Sequence, residues 1–385
     1  MPATVLPLLA DPAAYRRTHI DPAASESELE YWIGLFKRQI LSILEHAQEC
    51  DGDSPDFATR AAAVRAEVEG FLDSLRHDPH RHGRLDLLVI DHQRDGILRR
   101  HGFHDPHRLV KAKENVAALK LLPEVLGELD AMAPGPQLDA LVRNAFAGNV
   151  FDLGVTESIE RFRDRGADFF RTRDELPPRP WLVDDFDAFA RRWLEGPPFR
   201  RAVLLVDNAG ADVVLGMLPL ARELLRGSGP ADMAAPPAAA DAGPSVVLSA
   251  NTLPTLNDIT HPELVQLMQQ AAALDPILAG GLANGRLELV PSGNAWPLMD
   301  MRQVSPELAA ACRGADLLVL EGMGRAVETN FHARFTCDCL KLAMLKDSGV
   351  AASLGGRSFD VVLRYDPAQA GHSEAPGPGR GQAEA

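Results

Sequence analysis

The sequence predicts an α/β protein with a mainly parallel central sheet, helices on both of its sides and an α-helical N-terminal portion. Three observations carry that expectation. Short, branched, uncharged runs such as Ala202–Val206 lack polar alternation, which marks strands buried on both faces. These runs alternate with amphipathic segments, the pattern of strands joined by crossover helices. The first half, by contrast, repeats its apolar residues at helical spacing.

Residues 1–24 are rich in Pro and Ala and are expected to wrap the surface irregularly. A helix follows, because Ser25-x-x-Glu28 has capping-box form and Leu29, Trp32, Ile33, Phe36, Ile40, Ile43 and Leu44 share one face. Further helical segments are expected near 57–76, 85–100, 109–131 and 136–147. Seven histidines lie between His77 and His107 (His77, His80, His82, His92, His101, His104, His107), but among Arg and Asp in loop-like sequence, without Cys partners or an HExxH pattern. They are not read as a metal site. Gly148 and Asn149 read as C-terminal cap residues of the 136–147 helix, with Asp152 able to cap the next segment. A short amphipathic helix up to Trp193 leads to Gly196-Pro197-Pro198, the expected boundary between a mainly helical portion, 25–198, and an α/β portion, 199–365.

The α/β portion opens with the strand Ala202–Val206, the loop Asp207-Asn208-Ala209-Gly210 and an amphipathic run that begins at Asp212. Residues 226–244 are Ala/Pro/Gly-rich and are expected to be a mobile surface insertion. Strands are then expected over Ser245–Ala250, Arg286–Val290 and Asp316–Leu320, with a helix from about His261 to Ala273. A helix is expected near Asp338–Lys346, a last strand over Phe359–Tyr365, and a disordered tail over 366–385.

Composition narrows the partners. With 39 Lys+Arg against 54 Asp+Glu the 385-residue chain carries a formal charge of −15, which repels phosphate backbones and anionic membranes. Neither nucleic acid nor a membrane is expected. Four unevenly spaced cysteines (Cys50, Cys312, Cys337, Cys339) suit a reducing compartment such as the cytoplasm. No uninterrupted apolar run reaches membrane-spanning length, and no export signal is recognisable.

Four of the expected strands end in small, polar loops: DNAG, NTLPTLND, SGN and EGMGR. Parallel strands would gather all four at one sheet edge, where open α/β sheets bind ligands. Asp207, Asn208 and Asp258 then offer two carboxylates and an amide oxygen, hard donors suited to a divalent cation. A metal would offset the repulsion of a phosphate by these acids, and Lys346 or Arg325 could neutralise the remaining charge. Capping and turn roles account for each of these residues taken singly.

Taken together the motifs say more. VDNAGADVVLGMLPLARELL, NTLPTLNDIT, the SGN loop, LLVLEGMGRAVETN, LKLAMLK and LGGRSFDVVLRY resemble, in the same order, the metal-dependent damage-control phosphatase family. AGNVFDLG, RPWLVDD and the segment from His104-Asp105-Pro106 through Lys111 to Glu114-Asn115 match as well, so the likeness spans roughly Leu29–Tyr365. It is closest to the plant stand-alone members and to the phosphatase domain of the animal pantothenate kinase homologue. The resemblance implies a three-layer α/β/α domain that hydrolyses phosphate monoesters with one divalent ion (Mg²⁺, Mn²⁺, Co²⁺ or Ni²⁺). Its metal ligands fall on Asp207, Asn208 and Asp258, with Asp207, Asp258 and Lys346 as the catalytic groups. Asn149, Asp152, Glu321 and Arg325 belong to motifs that line the substrate cleft. The substrates implied are phosphopantetheine and its oxidatively damaged forms; sugar phosphates, or binding of a phosphometabolite without turnover, are the alternatives. Two departures stand out: the 226–244 insertion, and Ala211-Asp212 where more distant members carry Glu.

Overall fold

The computed structural model describes residues 3–150, 169–227 and 243–368. Asp152, most of the 226–244 insertion and the tail beyond 368 lie outside the described residues. Five helices fill most of the first half: α1 (Glu26–Asp51), α2 (Phe57–Ser74), α3 (Leu87–Arg100), α4 (Arg108–Asp130) and α5 (Pro134–Val150). Ser25 caps α1 as its spacing with Glu28 predicts, its hydroxyl accepting from the Glu28 amide at 3.1 Å.

Seven strands follow: β1 (Val183–Asp184), β2 (Arg201–Leu205), β3 (Ser245–Ala250), β4 (Leu287–Pro291), β5 (Leu317–Glu321), β6 (Asp338–Met344) and β7 (Val361–Asp366). They form one sheet in the order β1-β7-β6-β5-β2-β3-β4. β6, β5, β2, β3 and β4 run parallel, while β7 turns antiparallel to β6 and carries β1 at the edge. Successive strand residues face opposite sides, and the two cores show it. Ala202, Leu204 and Val206 join one core with α4, α5 and the helix Leu218–Arg226, whereas Val203 and Leu205 join the other with α1, α2 and α3. Both helical layers of this α/β/α sandwich therefore draw on the first half of the chain.

Two local expectations are corrected. Asp338–Lys346 is not a helix: β6 occupies Asp338–Met344, every residue of it buried. Its Leu, Ala, Met and Lys content favours a helix by propensity, but the sheet interior overrides propensity. Lys341 survives there because its ammonium donates to the carbonyls of Phe331 and Ala333 and to Asp366, at 2.9, 2.8 and 3.0 Å. Gly148 and Asn149 do not cap α5, which runs through them to Val150. Gly148 serves a close approach instead, since a Cβ there would lie 2.8 Å from both the Ala211 carbonyl oxygen and the Asp212 Cα.

Candidate active site

From β2 the chain winds outward through β3 and β4, then returns to the other side of β2 for β5 and β6. The strand order reverses between β2 and β5, and such a switch point opens a crevice at the carboxyl ends of the strands. Asp207 and Asn208 follow β2, Glu321 ends β5, and Asp258 comes from the loop after β3. The two loops are zipped by backbone bonds: Ala209 N–H to the Asn257 carbonyl and Ile259 N–H to the Asp207 carbonyl, both 3.0 Å. Asn208 and Asp258 form a bridge between them.

After Gly210 the chain enters a π-helical turn, Asp212–Met217, before the regular helix Leu218–Arg226. Such turns recur at functional sites, and this one aims Asp212 back into the crevice. Carboxylate oxygens of Asp207, Asp212 and Glu321 lie within 4.8 Å of one another, all three residues buried. Asn208 Nδ2 donates to Asp212 at 2.8 Å and to Asp207 at 3.2 Å. Asn149 Nδ2 donates to Glu321 at 2.7 Å and to Asp212 at 3.2 Å, tying the end of α5 to the cluster. Lys346 is 1% exposed and donates to the Asn149 carbonyl at 2.8 Å.

Electrostatics follow from this crowding. Burial first, then the Asp212 carboxylate, push Glu321 well above the usual carboxylate range. Burial also raises Asp212, while Lys346 and the Glu321 hydrogen bond oppose the rise. Both shifts favour a proton held between the two carboxyls. Arg325 bridges the Asp207 and Asp258 carboxylates, the latter at 2.7 Å, and reaches Asn251 Oδ1 at 3.1 Å. Gly322, at φ +93°, leaves room for the cluster, since a Cβ there would lie 1.9 Å from Asp207 Oδ2.

The donor set suits a divalent cation. It is made of carboxylate oxygens, the hard ligands such ions prefer. The buried Oδ1 of Asp212 has no hydrogen-bond donor, a cost that a cation or a proton shared with Glu321 relieves. Among the described residues this is the one group of three or more His, Cys, Asp or Glu side chains close enough to share an ion.

Asp207, Asn208, Asp258, Lys346, Asn149, Glu321 and Arg325 thus meet in one place. The SGN loop reaches the same edge, but Asn294 Nδ2 is engaged by the Trp296 and Leu298 carbonyls, at 2.5 and 2.9 Å. Asp212 was legible as a helix opener and, with Ala211, as a departure from more distant members, but not as part of the acid cluster, because a π-helical turn leaves no spacing signal. Lys111 and Asn115, which the sequence marked only as part of a matching segment, are further parts of the site. Lys111 pairs with Asp105 at 3.0 Å and Glu263 at 2.9 Å and reaches the Asp258 carbonyl at 3.4 Å. Asn115 Oδ1 accepts from the Gly210 amide at 2.7 Å, so α4 holds both site loops from behind.

A cavity of about 310 Å³ opens over the cluster. Asp207, Asn208, Asp258 and Lys346 line it at the strand ends, and Tyr31, Trp32 and Leu35 line it from α1. Such a crevice, with buried acids, one lysine and an apolar flank, defines an open-sheet α/β enzyme that works on a small charged ligand.

Comparison with known proteins names the family. Residues 35–362 match the damage-control phosphatase ARMT1-like domain. The chain is 39% identical over 357 residues to a damage-control phosphatase of Arabidopsis thaliana, covering 92% of each. It is 33% identical over 417 residues to the 4'-phosphopantetheine phosphatase of Mus musculus, covering 95% of this chain and 49% of that one. A DUF89 family protein from Pyrococcus horikoshii superposes with a TM-score of 0.57 at 15% identity, covering 88% of this chain and 98% of that one, a likeness of fold. The chain belongs to the damage-control phosphatase family, and its enzyme class is that of a phosphatase.

Proposed function

We propose that the protein is a divalent-metal-dependent phosphatase of phosphopantetheine-like metabolites, oxidatively damaged forms included, that limits their entry into coenzyme A. One observation carries the reading: buried Asp207, Asp212 and Glu321 converge beside Asn208, Asp258 and Lys346 under a cavity with one apolar flank. The mouse relative named for 4'-phosphopantetheine supports the substrate. Asp207, Asn208 and Asp258, with Asp212 alongside, would hold one Mg²⁺, Mn²⁺, Co²⁺ or Ni²⁺. Such an ion supplies Lewis-acid polarisation of a phosphoryl oxygen and offsets the charge of the acids.

The chain's own residues do the rest. Lys346 holds a second phosphate oxygen, its position fixed by the Asn149 carbonyl. Arg325 keeps the Asp207 and Asp258 side chains aligned. Asn149 orients Glu321, and Asp152 is assigned to the same cleft by its motif. Tyr31, Trp32 and Leu35 receive the uncharged arm and exclude water around it. The four unbridged cysteines support a reducing compartment such as the cytoplasm.

A metal-by-substrate matrix tests this. The purified protein is stripped with EDTA, supplied with each ion, and offered 4'-phosphopantetheine, its S-oxidised forms and a set of sugar phosphates, with phosphate release as the readout. The expected result is no release without metal and highest kcat/KM on the pantetheine esters. A higher kcat/KM on sugar phosphates would replace the substrate, and release that persists in EDTA would remove the metal.

A further inference from the structure

The cavity has a second wall, built by α1 and α3 rather than by strand ends. Tyr31, Trp32, Leu35 and Gln39 come from α1, and Leu87 and Asp91 from α3. The wall is mostly apolar, interrupted by Arg38, Gln39 and one carboxyl group. Asp91 is 2% exposed and pairs with Arg94 Nη1 at 2.7 Å. Arg94 in turn donates to Asp95 at 2.8 Å and to Gln39 at 2.5 Å. Asp95 accepts from the Thr255 hydroxyl at 2.6 Å, which fastens α3 to the loop that carries Asp258. Asp91 is thus held by Arg94 at the cavity, outside the acid cluster and on the wall assigned above to the ester's uncharged arm.

Resting on the phosphatase reading, we infer that Asp91 is the general acid that protonates the departing alcohol oxygen. As an attacking oxygen, from water or a carboxylate, bonds to phosphorus, the bond from phosphorus to the alcohol oxygen breaks and its electron pair stays on that oxygen, and an aliphatic alkoxide leaves poorly without a proton. Asp91 passes its carboxyl proton to the oxygen, and the alcohol departs neutral. The carboxylate left behind is stabilised by Arg94, and solvent water returns the proton before the next turnover.

The surroundings suit that role. Burial raises Asp91 to about 7, with Asp95 and Asp86 pushing the same way and Arg94 opposing them. About half of the protein therefore carries the proton near neutral pH. Around the same cavity the charged groups are Asp207, Asp258, Glu328, Asp347, Lys346 and Arg38. As pH rises above about 7 the acid is lost and turnover of alkyl esters falls.

Leaving-group dependence tests the assignment. With Mn²⁺, the wild type and Asp91→Asn are compared on 4'-phosphopantetheine, whose alcohol needs a proton, and on p-nitrophenyl phosphate, whose phenolate leaves without one. The expected result is a loss of about 100-fold in kcat on the alkyl ester, less than about 5-fold on the aryl ester, and disappearance of the alkaline limb of the alkyl-ester profile. Equal losses on both esters would make Asp91 structural and overturn the inference, and so would no loss on either. Should the wild type favour a sugar phosphate, the same comparison runs on that alkyl ester, so the substrate reading and this one fail separately. A wild type that hydrolyses neither kind of ester would remove the phosphatase reading, and Asp91's role with it.

Discussion

Two charge clusters in this chain, one partly and one fully buried, are built on different terms. Around Arg222 every acid is bonded to a guanidinium: Arg222 donates to Asp130 through two nitrogens at 2.7 and 2.8 Å, to Asp275 at 2.7 Å and to Glu223 at 2.9 Å, and Arg226 pairs with Asp130 at 2.7 Å and with Glu223 at 3.2 Å. Asp275 also caps the next helix, accepting from the Ile277 and Leu278 amides. At the strand ends, Asp207, Asp212 and Glu321 crowd together, and Asp212 Oδ1 is left without a donor. The first cluster joins α4, the helix Leu218–Arg226 and the turn at Asp275; the second holds like charges where the fold gains nothing from them. Acids that are each bonded to a cation read as structure, and a buried acid oxygen left without a donor reads as a site awaiting a ligand.

Breaking each cluster should therefore have opposite consequences. Arg222→Ala removes the guanidinium shared by three acids, leaving Asp130 and Glu223 to Arg226 and Asp275 to its backbone amides, and is expected to cost about 3 kcal/mol of folding stability by urea denaturation. The phosphatase rate of the folded fraction should stay within about 2-fold. Asp212→Asn reverses the pattern: stability holds or rises by about 1 kcal/mol as a buried like charge is removed, while phosphate release falls about 100-fold. If Asp212→Asn instead lost stability and kept its rate, the distinction between the clusters would collapse.

The smallest effect is a pH dependence. Hydrogen bonds from Arg222, first among several causes, hold Asp130 down at about 2. Its folded value lies below the unfolded one, so its contribution is full above about 4 and is lost as pH falls toward 2. Partial solvent exposure limits that loss to about 1 kcal/mol. Asp130→Asn should flatten this part of the stability profile; an unchanged slope would place the acid sensitivity elsewhere.

How much of this was legible in sequence depends on how local each signal is. β2, β3 and β5 are short apolar runs with polar stops, so their loops and the residues Asp207, Asn208, Asp258 and Glu321 stood out. β6 was misread because Leu, Met, Ala and Lys favour helices, and nothing nearby says that Lys341 will be sealed by Phe331, Ala333 and Asp366. The antiparallel turn of β7 depends on the same tertiary choice. The cavity's second wall was hidden by distance along the chain. Tyr31 donates to Asp347 at 2.7 Å across 316 residues, and no local pattern in α1 announces that partner. Asp91 carries no local signal either, because only the packing of α3 buries it.

The most direct test of the central claim compares phosphate release from 4'-phosphopantetheine by the wild type and by Asp207→Ala, each stripped with EDTA and titrated with Mn²⁺. The account predicts that metal restores the wild type, and that Asp207→Ala, folded by circular dichroism, stays at least about 1,000-fold slower at saturating metal. An Asp207→Ala protein with full, metal-stimulated activity would contradict it.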